Sequence, residues 1–203
     1  MKIICIGRNY KSHILEMGND FPTEPVFFMK PETALVIRNR PFFYPDFSKN
    51  VHYEVEIVLR ICKVGKHIAE KFADTYFDAI AVGIDFTARD LQNECVKLGE
   101  PWERSKSFDG SAPLSGFIHR ESFADVKSIP FSLKHNGKIV QTGNTSDLLF
   151  SFDRIISHVS KYITLKKGDY IFTGTPAGVG PVQLNDELEA YIEDRLMLKC
   201  RVK

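Results

Sequence analysis

Tyr53-Glu54-Val55-Glu56-Ile57-Val58-Leu59-Arg60-Ile61 is an apolar strand pattern that carries two acids two residues apart. Side chains on a strand alternate between faces, so Glu54 and Glu56 share one side while Tyr53, Val55, Ile57, Leu59 and Ile61 form the opposite, buried one. Carboxylates so close repel each other, and each tends to hold a proton near neutral pH unless a cation lies between them. A divalent ion is the natural cation. The ordinary alternative is an edge strand whose glutamates are merely solvated.

The surroundings of this stretch are those of a globular protein. Its 203 residues, 43% hydrophobic and 26% charged, are enough for a sizeable core. No internal repeat, low-complexity tract or linker divides them, so a single domain over residues 1–203 is expected. The net charge is only +1, with Lys and Arg spread along the chain, which argues against a nucleic-acid partner. Cys5, Cys62, Cys95 and Cys200 are scattered, unlike a zinc site or a disulfide framework, and read as reduced, mostly buried thiols. The apolar run at Ile3–Ile6 is too short for a signal peptide and no segment is long enough to span a membrane, so the expected location is cytoplasmic.

Outward from the acidic strand, Ile3 to Ile6 reads as a buried strand stopped by Gly7, and Ser12 as the cap of a short helix through Met17. Such a helix is too short to be stable alone. Val26–Lys30, between two prolines, is a strand, and Pro41–Pro45 an extended aromatic segment. Apolar residues at Ile68, Phe72, Tyr76 and Ala79 predict an amphipathic helix over 68–80. Ala79–Phe86 is a second apolar strand, after which Thr87 is placed to cap a helix over 88–98 closed by Gly99. A loop from Pro101 to Gly110 follows. Asn136-Gly137 marks a hairpin, Phe152, Ile155, Ile156 and Val159 one helix face, and Tyr170–Thr173 a strand. The last strands are Glu187–Ile192 and Leu196–Val202.

Asp85 is the third acid that stands out. Burying a bare charge in an apolar run is costly, so Asp85 must be protonated, paired with a cation such as Arg89, or bound to a metal. Three carboxylates with room for water suit a hard ion such as Mg2+, Mn2+ or Ca2+. His13 and Glu16, at i and i+3, would share a helix face and could act as a base and its orienter, although alone His13 reads as a surface histidine. The Gly174–Gly180 loop lacks the Gly-Lys-Ser/Thr ending of a P-loop and reads as an active-site or turn loop. Lys106, between two serines, is either a site cation or an ordinary surface lysine.

Six segments together resemble the fumarylacetoacetate hydrolase family, in its small single-domain branch of acylpyruvate hydrolases and oxaloacetate decarboxylases. They are Gly7-Arg8-Asn9-Tyr10 with His13 and Glu16, Phe28-Met29-Lys30-Pro31, and His52-Tyr53-Glu54-Val55-Glu56. Asp85 to Gln92, Lys106-Ser107-Phe108-Asp109 and Thr173 to Pro181 complete the set, in the same order and nearly end to end.

The resemblance implies an α+β fold, a mixed β-roll with a few peripheral helices, assembled as a homodimer. It implies Mg2+, with Mn2+ as the other option, held by Glu54, Glu56 and Asp85, the residues that the strand pattern had already isolated. The implied substrate is a small 2-keto acid that chelates the metal, so that the enolate left by carbon–carbon cleavage is stabilised. Lys106 would add positive charge there, and Arg8, Lys30, Gln92 and Thr175 match substrate-binding positions. The short helix resembles a lid that brings His13, oriented by Glu16, to the reacting carbon. The implied activity is hydrolysis of acylpyruvates to a carboxylate and pyruvate, with oxaloacetate decarboxylation on the same site. A keto-acid isomerase or tautomerase, such as an oxaloacetate tautomerase, is the alternative within the family, and a non-catalytic β-rich binding protein the alternative outside it.

Overall fold

In the computed structural model, which describes all residues from Met1 to Lys203, the chain opens with β1 (Ile3–Gly7), α1 (Lys11–Glu16), β2 (Val26–Lys30), β3 (Leu35–Val36), β4 (Val51–Tyr53) and β5 (Val55–Ile61). The middle holds α2 (Glu70–Ala73), β6 (Phe77–Ile84), β7 (Thr87–Ala88), α3 (Arg89–Leu98), α4 (Glu103–Lys106), β8 (Ala112–Pro113) and β9 (Ile118–His119). The remainder is β10 (Pro130–His135), β11 (Lys138–Asn144), α5 (Phe152–Tyr162), β12 (Tyr170–Phe172), β13 (Gly180–Pro181), β14 (Glu187–Ile192) and β15 (Arg195–Arg201).

The acidic strand is not an edge. A six-stranded sheet in the order β2-β1-β12-β5-β6-β9 places β5 between two neighbours, and a four-stranded antiparallel sheet runs β11-β10-β14-β15. The larger sheet is mixed, because β1 pairs with β12 in parallel while its other pairings are antiparallel. Tyr53, Val55, Ile57, Leu59 and Ile61 all enter one core of 33 buried residues, with Phe131, Leu133, Leu188, Ala190, Ile192 and Leu198 of the smaller sheet. Each Val, Leu, Ile or Phe side chain among them contributes on the order of 1.5–3 kcal/mol by leaving water. The other face of β5 sends Val58 into a second cluster with Ile3, Cys5 and Phe172. Five short helices, from four to eleven residues long, accompany these sheets, so the architecture is the expected α+β mixed roll. No helix is long and apolar enough to cross a membrane.

Several local expectations hold. The Ser151 hydroxyl accepts the Arg154 N–H at the start of α5, whose Phe152, Ile155, Ile156 and Val159 are buried. Gly99 ends α3 with φ 69°, and Asn136 and Gly137, both at positive φ, turn β10 into β11. All four cysteines are free and three are buried.

The helix expected over 68–80 is not there. Only Glu70–Ala73 is helical, a 3-10 turn follows, and from Phe77 the chain is β6, paired with β5 from Ile61 opposite Phe77 to Val55 opposite Ile84. Phe72, which the 3.6-residue spacing placed on a buried face, is 56% exposed. The apolar run from Phe77 has a neighbour strand on each side, and completing that ladder outweighs the local periodicity. Neither Ser12 nor Thr87 is a cap. Tyr10 and Ala88 occupy those positions without side-chain capping bonds, and Thr87 belongs to β7. The loop over 101–110 contains the single turn α4.

Candidate active site

Antiparallel pairing of β5 with β6 builds the acidic cluster. Glu56 stands opposite Gly83, and just beyond the ladder the Asp85 N–H donates to the Glu54 carbonyl at 2.8 Å. Asp85, leaving β6, is thereby returned beside the two glutamates that enter β5. Carboxylate oxygens of the three lie within 4.8 Å of one another, and the residues are only 1–4% exposed.

Three cations face them. The Lys106 ammonium donates to Glu54 Oε2 at 2.7 Å, Asp85 Oδ2 at 2.8 Å and the Thr87 hydroxyl at 2.6 Å. Arg89 pairs with the other oxygen of Glu54 and also holds Gln92 Oε1. Lys30 meets Asp85 Oδ1 at 2.8 Å and also donates to the Ser111 hydroxyl and to the backbone carbonyls of Phe86 and Lys106. The Asp85–Arg89 pair that sequence spacing allowed is not made. An i, i+4 contact needs a helical backbone, and Thr87 and Ala88 between them form a strand.

Burial raises the pKa of Glu54, but Lys106 and Arg89 outweigh it and hold the carboxyl well below the usual range. Burial likewise works against the charged form of Lys106, and Asp85 and Glu54 reverse the effect and raise its pKa. Glu56 is different. Its carboxylate accepts the Gly174 N–H at 2.7 Å and meets none of the three cations, and burial, followed by repulsion from Asp85 and Glu54, pushes its pKa well up. An all-oxygen set whose third member lacks a cation fits a hard divalent ion at this point.

With its folded pKa above the unfolded one, Glu56 contributes stability fully at acid pH and loses it as pH rises from the ordinary carboxylate range towards the raised value. A divalent ion must displace that proton, so metal affinity should increase with pH through the same window. Calorimetric titration with Mg2+ in buffers of different ionisation enthalpy should register proton release. Buffer-independent heats would contradict a protonated Glu56.

The cluster lines a cavity of about 290 Å3. Arg8, His13, Gln92, Lys106 and Thr175 line it together with Glu54, Glu56 and Asp85, so nearly every residue singled out from sequence converges on one space. Lys30 does not line it. Its ammonium lies behind Asp85 and under the Lys106 carbonyl, which makes it a support for those groups. Arg8 has φ 57° and its guanidinium lies 5.9 Å from the Trp102 ring centre. Sequence reading missed Trp102, Met17, Asn19 and Asn93 as wall residues. Trp102 had one signal, being the single tryptophan of the chain, four residues before Lys106.

His13 is not a surface histidine. It is 9% exposed, and its Nδ1 lies 3.2 Å from Glu16 Oε2, which as a carboxylate must accept and so leaves Nε2 as the basic nitrogen. The Gly178 N–H donates to Glu16 in turn. Ile14 is fully buried, and the Asn9 amide ties the segment before α1 to the backbone at Phe150 and Thr173. These tertiary contacts hold a helix that is too short to stand alone.

The chain is similar to known proteins over its length. The family model described as fumarylacetoacetate (FAA) hydrolase C-terminal matches residues 2–203. Identity to oxaloacetate tautomerase FAHD1, mitochondrial, of Mus musculus is 45% over 201 residues, covering 99% of this chain and 91% of that protein. Oxaloacetate tautomerase YcgM of Escherichia coli (strain K12) is 43% identical over 188 residues, covering 92% and 86%. Fumarylpyruvate hydrolase from Pseudomonas aeruginosa, solved in complex with Mn2+ and pyruvate, is 36% identical with a TM-score of 0.94, covering 100% of this chain and 89% of that one.

Proposed function

This chain belongs to the fumarylacetoacetate hydrolase family, and from that premise we propose that it is a divalent-metal-dependent enzyme of small 2-keto acids that interconverts the enol and keto forms of oxaloacetate. The observation that carries this reading is one cavity with two devices facing it: three buried carboxylates within 4.8 Å of one another, and a histidine whose tautomer is set by Glu16. The names of the relatives at 43–45% identity support the choice of oxaloacetate.

Glu54, Glu56 and Asp85 would hold Mg2+ or Mn2+, which when bound acts as a Lewis acid that stabilises negative charge on the 2-keto oxygen. The protein's own residues do the rest. Lys106 places a second positive charge beside that oxygen's site, and Lys30 holds Lys106 and Asp85 in place from behind. His13 Nε2 exchanges the proton at C3. In the keto-to-enol direction Nε2 takes a proton from C3 and the C2 oxygen gains one from water, and the enol-to-keto direction reverses both transfers, with no carbon–carbon bond broken. Arg8, Gln92 and Thr175 orient the carboxylates.

A second reading, acylpyruvate hydrolysis, is favoured by the similarity to fumarylpyruvate hydrolase. There His13 would take a proton from water that attacks the distal carbonyl, releasing a carboxylic acid and the enol of pyruvate. The deciding experiment follows enol-oxaloacetate, acetylpyruvate and fumarylpyruvate with Mg2+, with Mn2+ and with chelator. Metal-dependent turnover of acylpyruvates alone would replace the first reading by the second, and turnover of none would end both. The proposed assembly is a homodimer, which light scattering in solution reports directly.

Lys106→Ala should slow every reaction of the site by roughly 100-fold, as loss of an oxyanion donor does. It also strips Glu54 and Asp85 of a shared partner, so the metal-free variant should lose about 3–5 kcal/mol of stability. A variant defective with one substrate only would make Lys106 a positioner of that substrate.

A further inference from the structure

Gln141 lies in β11, is 1% exposed and takes no part in the cavity wall. Its amide joins three chain segments. The Val55 N–H donates to Oε1 at 2.9 Å, and Nε2 donates to the Thr175 hydroxyl and the Pro176 carbonyl, each at 2.9 Å. The amide has one possible orientation, because Val55 offers only a donor and Pro176 only an acceptor. Thr175 therefore receives a hydrogen bond on its oxygen, and its own proton is free to be donated into the cavity that it lines.

Val55 stands between Glu54 and Glu56, and the segment from Thr175 carries both that hydroxyl and the Gly178 N–H to which Glu16 is anchored. Gly178 itself is seated on β11. Its φ is 96°, and a Cβ there would collide with the Val140 carbonyl oxygen. One buried amide thus connects the carboxylate strand, a cavity-lining hydroxyl and the anchor of α1.

We propose that Gln141 is a positioning residue, which locks the Glu54–Glu56 strand to the Thr175–Gly178 loop and sets Thr175 as a hydrogen-bond donor towards the substrate's carboxylate. The inference rests on the metal reading of the acidic cluster. Partners lying outside metal ligands typically account for about 10- to 100-fold in metal affinity or activity.

Gln141→Met keeps the length of the side chain and removes all three bonds. Its affinity for Mn2+, titrated calorimetrically below its melting temperature, should fall by about tenfold or more. Amide hydrogen exchange at Gly178 and along α1 should quicken even without metal. Gln141→Glu keeps an acceptor for the Val55 N–H and loses the amide donors, so it should bind Mn2+ nearer to the wild type while KM for oxaloacetate rises. That variant carries the exchange test if the Met variant does not fold. A purely structural role would lower the melting temperature and leave Mn2+ affinity and Gly178 exchange unchanged, which overturns the inference. Wild type and Glu56→Ala are titrated alongside. A wild type that fails to bind Mn2+ sinks the metal reading and this inference together, whereas normal binding in both wild type and Gln141→Met sinks the inference alone.

Discussion

Glu56→Ala should abolish metal-dependent turnover while the protein remains folded. Glu56 offers a carboxylate that meets none of the three site cations, whereas Glu54 and Asp85 are both bonded to Lys106. Removing it leaves the fully buried apolar face of β5 untouched and takes away the one acid of the three that meets no cation. Glu56→Gln sharpens the test, because an amide oxygen can still accept the Gly174 N–H and the shape of the cavity is kept. In the metal-free state this variant should be at least as stable as the wild type above the ordinary carboxylate range, since an amide needs no proton taken up on folding where burial and acidic neighbours disfavour the carboxylate. The wild type should gain about 2.7 kcal/mol when Mg2+ is present at a hundred times its dissociation constant, and the variants nothing. Thermal melts with and without Mg2+, together with activity at saturating metal, check both statements. Turnover of Glu56→Ala near the wild-type rate would end the metal assignment.

His13→Ala should separate the chemistries available to the cavity. Moving a proton at C3, or making hydroxide from water, requires a base, and loss of a general base typically costs about 100- to 10,000-fold. Decarboxylation of oxaloacetate needs no such base, since its electrons come from the departing carboxylate. Tautomerisation and acylpyruvate hydrolysis should therefore fall by that order while decarboxylation changes far less. Kinetics of the one variant on all three reactions give the answer. Equal losses throughout would mean that His13 closes the cavity or binds the substrate, a role for which its burial and its tie to Gly178 through Glu16 also provide.

The acidic cluster was legible because strand alternation is a local rule. Glu54 and Glu56 had to share a side wherever the strand went, and an acid at the end of an apolar run, Asp85, had to have a partner. The identity of that partner was not legible. Arg89 was the nearest cation along the chain, yet Lys30 and Lys106 reach Asp85 instead, from segments 55 and 21 residues away in sequence that β2 and α4 bring to the site. The same limit explains the helix expected over 68–80, where a 3.6-residue spacing was overruled by a ladder with β5 that no local window contains.

From the sequence alone came the two faces of the central strand, the three acids, the His13–Glu16 pair and the order of motifs that identifies the family, each read from residue types and local spacing or from their order along the chain. Only the tertiary structure decided that β5 is interior, that Lys30 supports the site from behind the cavity, that Glu56 is the acid without a cation, and that Gln141 joins the carboxylate strand to the loop at Thr175. Each of these is set by which distant segments share one buried space. In such a space a charge or an amide must find its partner among whatever the sheets bring near, and distance along the chain has no say in the choice.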